Sequence, residues 1–176
     1  MLRLFFLGVA LILGIGATFA LWDRFGPRPA PPLPVDVSQQ IDHILIEKSA
    51  RRLTASRKGK PVMSLQIALG FAPKGDKSQE GDGKTPEGMF TINRRNPNSA
   101  FHLSLGLDYP LPHDIAHAKA AGIDPGGDIF IHGQPNGVVG LTLPGDWTAG
   151  CIAISNQKMR TLWQITPIGT AVDILP

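Results

Sequence analysis

Val62-Met63-Ser64-Leu65-Gln66-Ile67-Ala68-Leu69 puts Met63, Leu65, Ile67 and Leu69 on one face of an extended chain. A period of two belongs to a half-buried β-strand, in which successive side chains point to opposite sides. Outward from this run, residues 41–47 and 51–55 read as a hairpin before it. Residues 88–92, 102–105, 129–132, 152–154 and 171–175 read as short strands after it. With 20 glycines and 16 prolines among 176 residues, turns are frequent and long helices are few. Two short helices interrupt: 114–121, stopped by Gly122, and 157–165, capped by Ser155 or Asn156 and closed by Pro167. Short strands separated by turns predict a mainly β domain of sandwich-like or barrel-like type.

At 43% hydrophobic residues the chain supports one domain with a real core, plus attachments. The first attachment is the run from Leu4 to Trp22, which holds no charged residue. As a helix it spans about 28 Å, close to the hydrocarbon thickness of a bilayer. Two fates stay open for residues 1–26: a signal anchor that keeps residues 4–22 in the inner membrane, or a signal peptide cut near Thr18-Phe19-Ala20. Both put the remainder outside, in the periplasm, with Arg3 on the cytoplasmic side. Residues 27–38 are a proline-rich linker, a semi-rigid polyproline II spacer of about 25 Å over its first eight positions. Residues 39–176 form the folded domain.

The net charge of +3 is scattered over Arg51-Arg52, Arg57-Lys58, Lys60 and Arg94-Arg95 without interleaved aromatics, so no nucleic-acid partner is expected. Gly83-Lys84-Thr85 suggests a phosphate loop, but Ser78 stands where the first glycine belongs, and Pro86 and a strand follow instead of a helix. His113 and His117 share a helix face without a third ligand in sequence, so no metal is assigned to them.

The one cysteine, Cys151, lies in Asp146-Trp147-Thr148-Ala149-Gly150-Cys151-Ile152-Ala153-Ile154. An unpaired thiol is either a small buried hydrophobe or a group with a chemical task. Gly150 lets a backbone turn sharply and approach a substrate, and His132-Gly133 closes an apolar run nineteen residues earlier. Only about 3% of an ordinary thiol is ionised at pH 7, and a neighbouring imidazolium would raise that fraction. Cys151 is therefore read as a nucleophile and His132 as its base.

The order Gly83-Lys84-Thr85-Pro86-Glu87-Gly88, Ile131-His132-Gly133, Thr148-Ala149-Gly150-Cys151-Ile152 and then Asn156 resembles the L,D-transpeptidase catalytic domain, the YkuD family. The Trp147-Thr148-x-Gly150-Cys151-Ile152-Ala153 form looks most like its YafK-like, murein-processing branch. The resemblance implies an L,D-transpeptidase-type, β-sandwich-like catalytic fold, a cysteine thioester, and peptidoglycan stem peptides containing meso-diaminopimelate as substrate. Carried over to this chain, Cys151 attacks, His132 is the base, and the Gly133 carbonyl orients the imidazole. The amides of Gly150 and Cys151 stabilise the oxyanion, and Trp147 and Thr148 line the cleft. No cofactor and no metal are implied.

Two positions depart from the family pattern: Ala149 replaces a frequent histidine, and Ala153 a frequent arginine that could hold a substrate carboxylate. Transfer to an amine acceptor therefore competes with hydrolysis. In the hydrolytic reading the protein is an amidase or L,D-carboxypeptidase that releases murein-bound lipoprotein or D-alanine. A non-catalytic wall-binding module is a third reading. An NlpC/P60-type peptidase is disfavoured because there the cysteine precedes the histidine and heads a helix, whereas here His132 comes first.

Overall fold

The computed structural model describes residues 30–138 and 140–176; the apolar run at 4–22 lies outside them. Among the described residues no helix is long and apolar enough to cross a membrane. The strands are β1 His43–Glu47, β2 Arg52–Arg57, β3 Lys60–Gln66, β4 Gly88–Asn96, β5 Ser104–Leu107, β6 Phe130–His132, β7 Ile152–Ala153 and β8 Ala171–Leu175. Two helices, α1 Pro112–Ala121 and α2 Asn156–Ile165, lie between β5 and β6 and between β7 and β8.

All eight strands belong to one sheet in the order β3-β2-β1-β8-β4-β5-β6-β7. The chain's last strand, β8, fills the middle, parallel to β1 and antiparallel to β4. Strand β4 serves two halves of the sheet. Gly88–Thr91 pair with β8, Ile92–Asn96 pair with β5, and the register shifts between Ile92 and Arg94. A bulge at that place bends the strand and increases its twist, so the sheet turns a corner there.

The far ends of the strand order then meet. Beyond β3, Ala68 bridges antiparallel to Ala153 of β7, donating to its carbonyl at 2.9 Å and accepting from its amide at 2.8 Å. The expected sandwich-like domain is thus a single sheet curled until its two halves face each other. Between them lies a core of Ile44, Ile46, Leu53, Ile92, Leu105, Ile131, Ile152 and Val172, all almost fully buried. Each such side chain contributes about 2 kcal/mol of transfer free energy.

Helix α2 adds Met159, Leu162 and Trp163 to that core. Their i, i+3, i+4 spacing makes one apolar stripe. Ser155 caps the helix, its hydroxyl accepting from the Lys158 amide at 3.4 Å. The proline-rich segment is already fastened to the domain at its end: the Val35 amide donates to Gln164 O at 3.1 Å, and Gln164 Nε2 donates to Leu33 O at 3.4 Å.

The Gly83-Lys84-Thr85 loop is a packing piece. Burial disfavours the Asp82 carboxylate, but the amides of Ser78, Lys84 and Gln79, and Lys77 Nζ, outweigh it and hold the carboxyl at about 2. Lys48, 2% exposed, donates to Gly75 O, Thr85 O and Glu87 Oε1 at 2.7 to 2.8 Å and pins the loop to the end of β1.

Candidate active site

Strands β6 and β7 run parallel with Ile131 opposite Ile152 and His132 opposite Ala153. His132 therefore ends β6 beside the point where the chain enters β7, one residue after Cys151. Across β5 and β4 the row continues as His132, Ser104, Asn96; the neighbouring row on the same face is Phe130, Gly106, Arg94. These rows floor a cavity of about 610 Å³, lined also by Phe101, Asp128 and Cys151. That volume suits a small ligand or a peptide end. Cysteine and histidine thus share one cavity, although nineteen residues separate them in sequence.

His132 is 2% exposed, and its Nδ1 lies 2.6 Å from Gly133 O. A carbonyl only accepts, so Nδ1 carries the proton and Nε2 keeps the lone pair. Phe101 stacks on the ring at 4.1 Å and 26°, and Trp147 meets it edge-on at 5.8 Å. Position 133 has no room for a side chain: a Cβ would stand 2.5 Å from Asn156 Oδ1 and 2.6 Å from His102 O. Asn156 also accepts from the Gln134 amide at 2.7 Å, which fastens the chain just past the histidine.

The Cys151 thiol donates to Asp128 O at 3.4 Å. Burial pushes this thiol up, and Asp128 adds to the effect. The Phe130 amide and Lys77 pull the other way with less weight. Burial also pushes the His132 imidazole down, against the pull of its Gly133 bond. Both directions favour the neutral forms of the thiol and the imidazole, so the same burial disfavours the imidazolium expected to raise the thiolate fraction.

The turn before Cys151 is tied from inside. Thr148 Oγ1 donates to Cys151 O at 2.7 Å and accepts from the Gly150 amide at 3.1 Å. Gly150 has φ +138°, and a Cβ on it would stand 2.7 Å from Lys84 O, so only glycine lets the loop at 83–85 pass. The Gly150 amide thus has a partner in Thr148 Oγ1. Thr148 is buried, and Trp147 stands against His132.

Sequence reading missed Arg94, Phe101 and Asp128. Only the aromatic beside His102, in an otherwise polar stretch, hinted at Phe101. Among the described residues no group of three or more His, Cys, Asp or Glu side chains is placed to hold a metal ion.

The family model described as the L,D-transpeptidase catalytic domain, YkuD, matches residues 41–174. The chain belongs to this family. YafK of Escherichia coli strain K12 is 27% identical over 92 residues, which are 51% of this chain and 31% of that protein. The chain thus spans about a third of the length of the curated relatives it matches. The helical cell shape determining protein Pgp2 from Campylobacter jejuni superposes with a TM-score of 0.57 at 27% identity, over 80% of this chain and 51% of that one. The L,D-transpeptidase from Xylanimonas cellulosilytica shares the fold at 20% identity and a TM-score of 0.51, over 90% of this chain and 69% of that one. In this YkuD domain Ala153 is 1% exposed and paired with His132 and Ala68, so it brings no charge to the cavity. The cations on the cavity wall are Arg94 and Arg95.

Proposed function

We propose that this YkuD domain is a cysteine acyltransferase acting on the stem peptides of peptidoglycan, through a thioester on Cys151. The observation that carries the reading is the shared cavity: Cys151 and His132 both line it, and His132 Nδ1 is committed to Gly133 O. The lone pair on Nε2 is then the group available to accept the thiol proton.

In the first step the sulfur attacks the amide carbonyl at the L-centre of meso-diaminopimelate in a tetrapeptide stem. An S–C bond forms, the thiol proton passes to His132, and the oxyanion is met by the Cys151 amide. The C–N bond then breaks, and His132 returns the proton to the leaving amine of D-alanine. In the second step an amine or water attacks the thioester, the C–S bond breaks, and the proton returns to the sulfur. An amine acceptor makes this a transpeptidase. Water makes it an L,D-carboxypeptidase, or an amidase where the leaving amine belongs to a murein-bound lipoprotein. The apolar run at 4–22, as an anchor or a signal, supports work on the outer side of the inner membrane.

Mass analysis of products from disaccharide-tetrapeptide and from lipoprotein-linked muropeptide tests this. Cross-link, D-alanine loss and lipoprotein release give three different masses. A carbapenem should acylate the protein, and Cys151→Ala should abolish the adduct. Folded protein that changes neither substrate and takes no acyl group overturns the reading.

A further inference from the structure

We infer that Arg94 reads the terminal carboxylate of the acyl donor and that the Asp128 carboxylate marks the position this group takes, an assignment that rests on the thioester chemistry proposed for Cys151. Arg94 lies in the same cross-strand row as Gly106 and Phe130, one row from His132. Its side chain lies flat across Gly106: a Cβ there would stand 2.5 Å from Arg94 Cγ and 2.6 Å from Nε. A missing side chain on β5 is what lets an arginine of β4 reach β6. The guanidinium then rests 4.5 Å above the Phe130 ring and donates to Asp128 Oδ1 at 2.6 Å.

The other arginine on the wall has different commitments. Arg95 Nη2 donates to Trp163 O at 2.8 Å, and its guanidinium stacks 4.3 Å from the Trp163 ring. Ala153, one residue into β7 beyond Ile152, is apolar and buried. Recognition of an anion in this cavity therefore falls to Arg94.

Asp128 points to which anion. Its backbone carbonyl accepts from Cys151 Sγ at 3.4 Å while its carboxylate engages Arg94. It does both in a left-handed conformation, φ +55°, that residues other than glycine seldom adopt. Three bonds separate the carbonyl and carboxylate carbons of an aspartate. Three bonds also separate the scissile carbonyl carbon from the terminal carboxylate carbon of an acyl-D-alanine. Asp128 therefore spans sulfur and guanidinium as the leaving residue of a free-acid donor would. The Arg94–Asp128 pair is 47% and 83% exposed, so it is worth at most about 1 kcal/mol and yields readily to an incoming carboxylate.

The test compares a diaminopimelate tetrapeptide ending in free D-alanine with the same peptide ending in D-alanine amide, using the full chain. A charged hydrogen bond to the carboxylate should make kcat/KM for the acid about 10- to 100-fold higher than for the amide. Arg94→Gln should bring that ratio near 1, and Arg94→Lys, which keeps the charge without the fork, should leave it intermediate. Asp128→Asn keeps a residue type tolerant of the left-handed backbone and removes the competing charge, so the KM for the acid should fall about 2- to 5-fold. A parent that turns over both peptides equally, or an Arg94→Gln variant with an undiminished ratio, overturns the Arg94 assignment alone. A parent that consumes neither peptide and is not acylated by a carbapenem overturns the thioester chemistry, and this assignment with it.

Discussion

Burial of His132, which shares a cavity with Cys151, bears on the pH behaviour of the site. In the proposed thioester chemistry the imidazole must be unprotonated to take the proton of Cys151, and burial holds it below its ordinary value of 6.5. The acid limb of kcat/KM should therefore lie below pH 6.5, with no loss of rate on going from pH 8 to pH 7. An acid limb at or above 6.5 would mean that burial does not govern this histidine. The same shift acts on stability. Unfolded chains bind a proton at His132 near pH 6.5 while the folded one does not. This contribution is thus present in full above 6.5 and is lost as pH falls through the lower folded value. Replacing the proposed base, His132→Asn, should reduce kcat about 10²- to 10⁴-fold while the protein still folds, checked by steady-state kinetics alongside circular dichroism.

At the scale of elements, the decisive piece is the turn that enters β7. Thr148 Oγ1 bonds both Gly150 N and Cys151 O, so one hydroxyl sets the shape of the backbone that carries Cys151. Thr148→Val keeps the volume but leaves the buried Gly150 amide unpaired. It should lower unfolding free energy by about 1–3 kcal/mol in urea titrations, with Thr148→Ser recovering most of the loss. A valine variant as stable as the parent would show that the hydroxyl is dispensable. Legibility in sequence follows the same division. β3 showed its alternation because one face meets the core, and α2 showed its stripe and cap for the same reason. Strand β4 runs on through Asn93-Arg94-Arg95-Asn96, where no apolar alternation exists, because its other face is the floor of a cavity and not of a core. Residue chemistry suggested pairing Cys151 with His132, and both line one cavity. Arg94 and Asp128 were not legible, because what joins them is cross-strand register, an empty position at Gly106 and a left-handed residue, none of which leaves a local pattern.

For the molecule as a whole, curling the sheet turns a two-residue strand into an interior one. β7 alone would be a weak edge, but it is paired to β6 on one side and to the chain beyond β3 on the other. Ile152, fully buried, anchors it from below. The Ala153 amide donates to Ala68 O at 2.8 Å and the Ile154 amide to His132 O at 2.9 Å, so both protons sit inside the ring of strands with no free edge to fray. Opening them requires parting the two halves of the sheet, which also parts the core. Native-state hydrogen exchange should therefore give these two amides the same opening free energy as those of Ile44 and Ile46 in the interior strand β1, equal to the global value from denaturant unfolding. If Ala153 and Ile154 exchange a hundredfold or more faster than β1, about 2.7 kcal/mol less opening energy, closure of the sheet is not what holds β7 in register with β6.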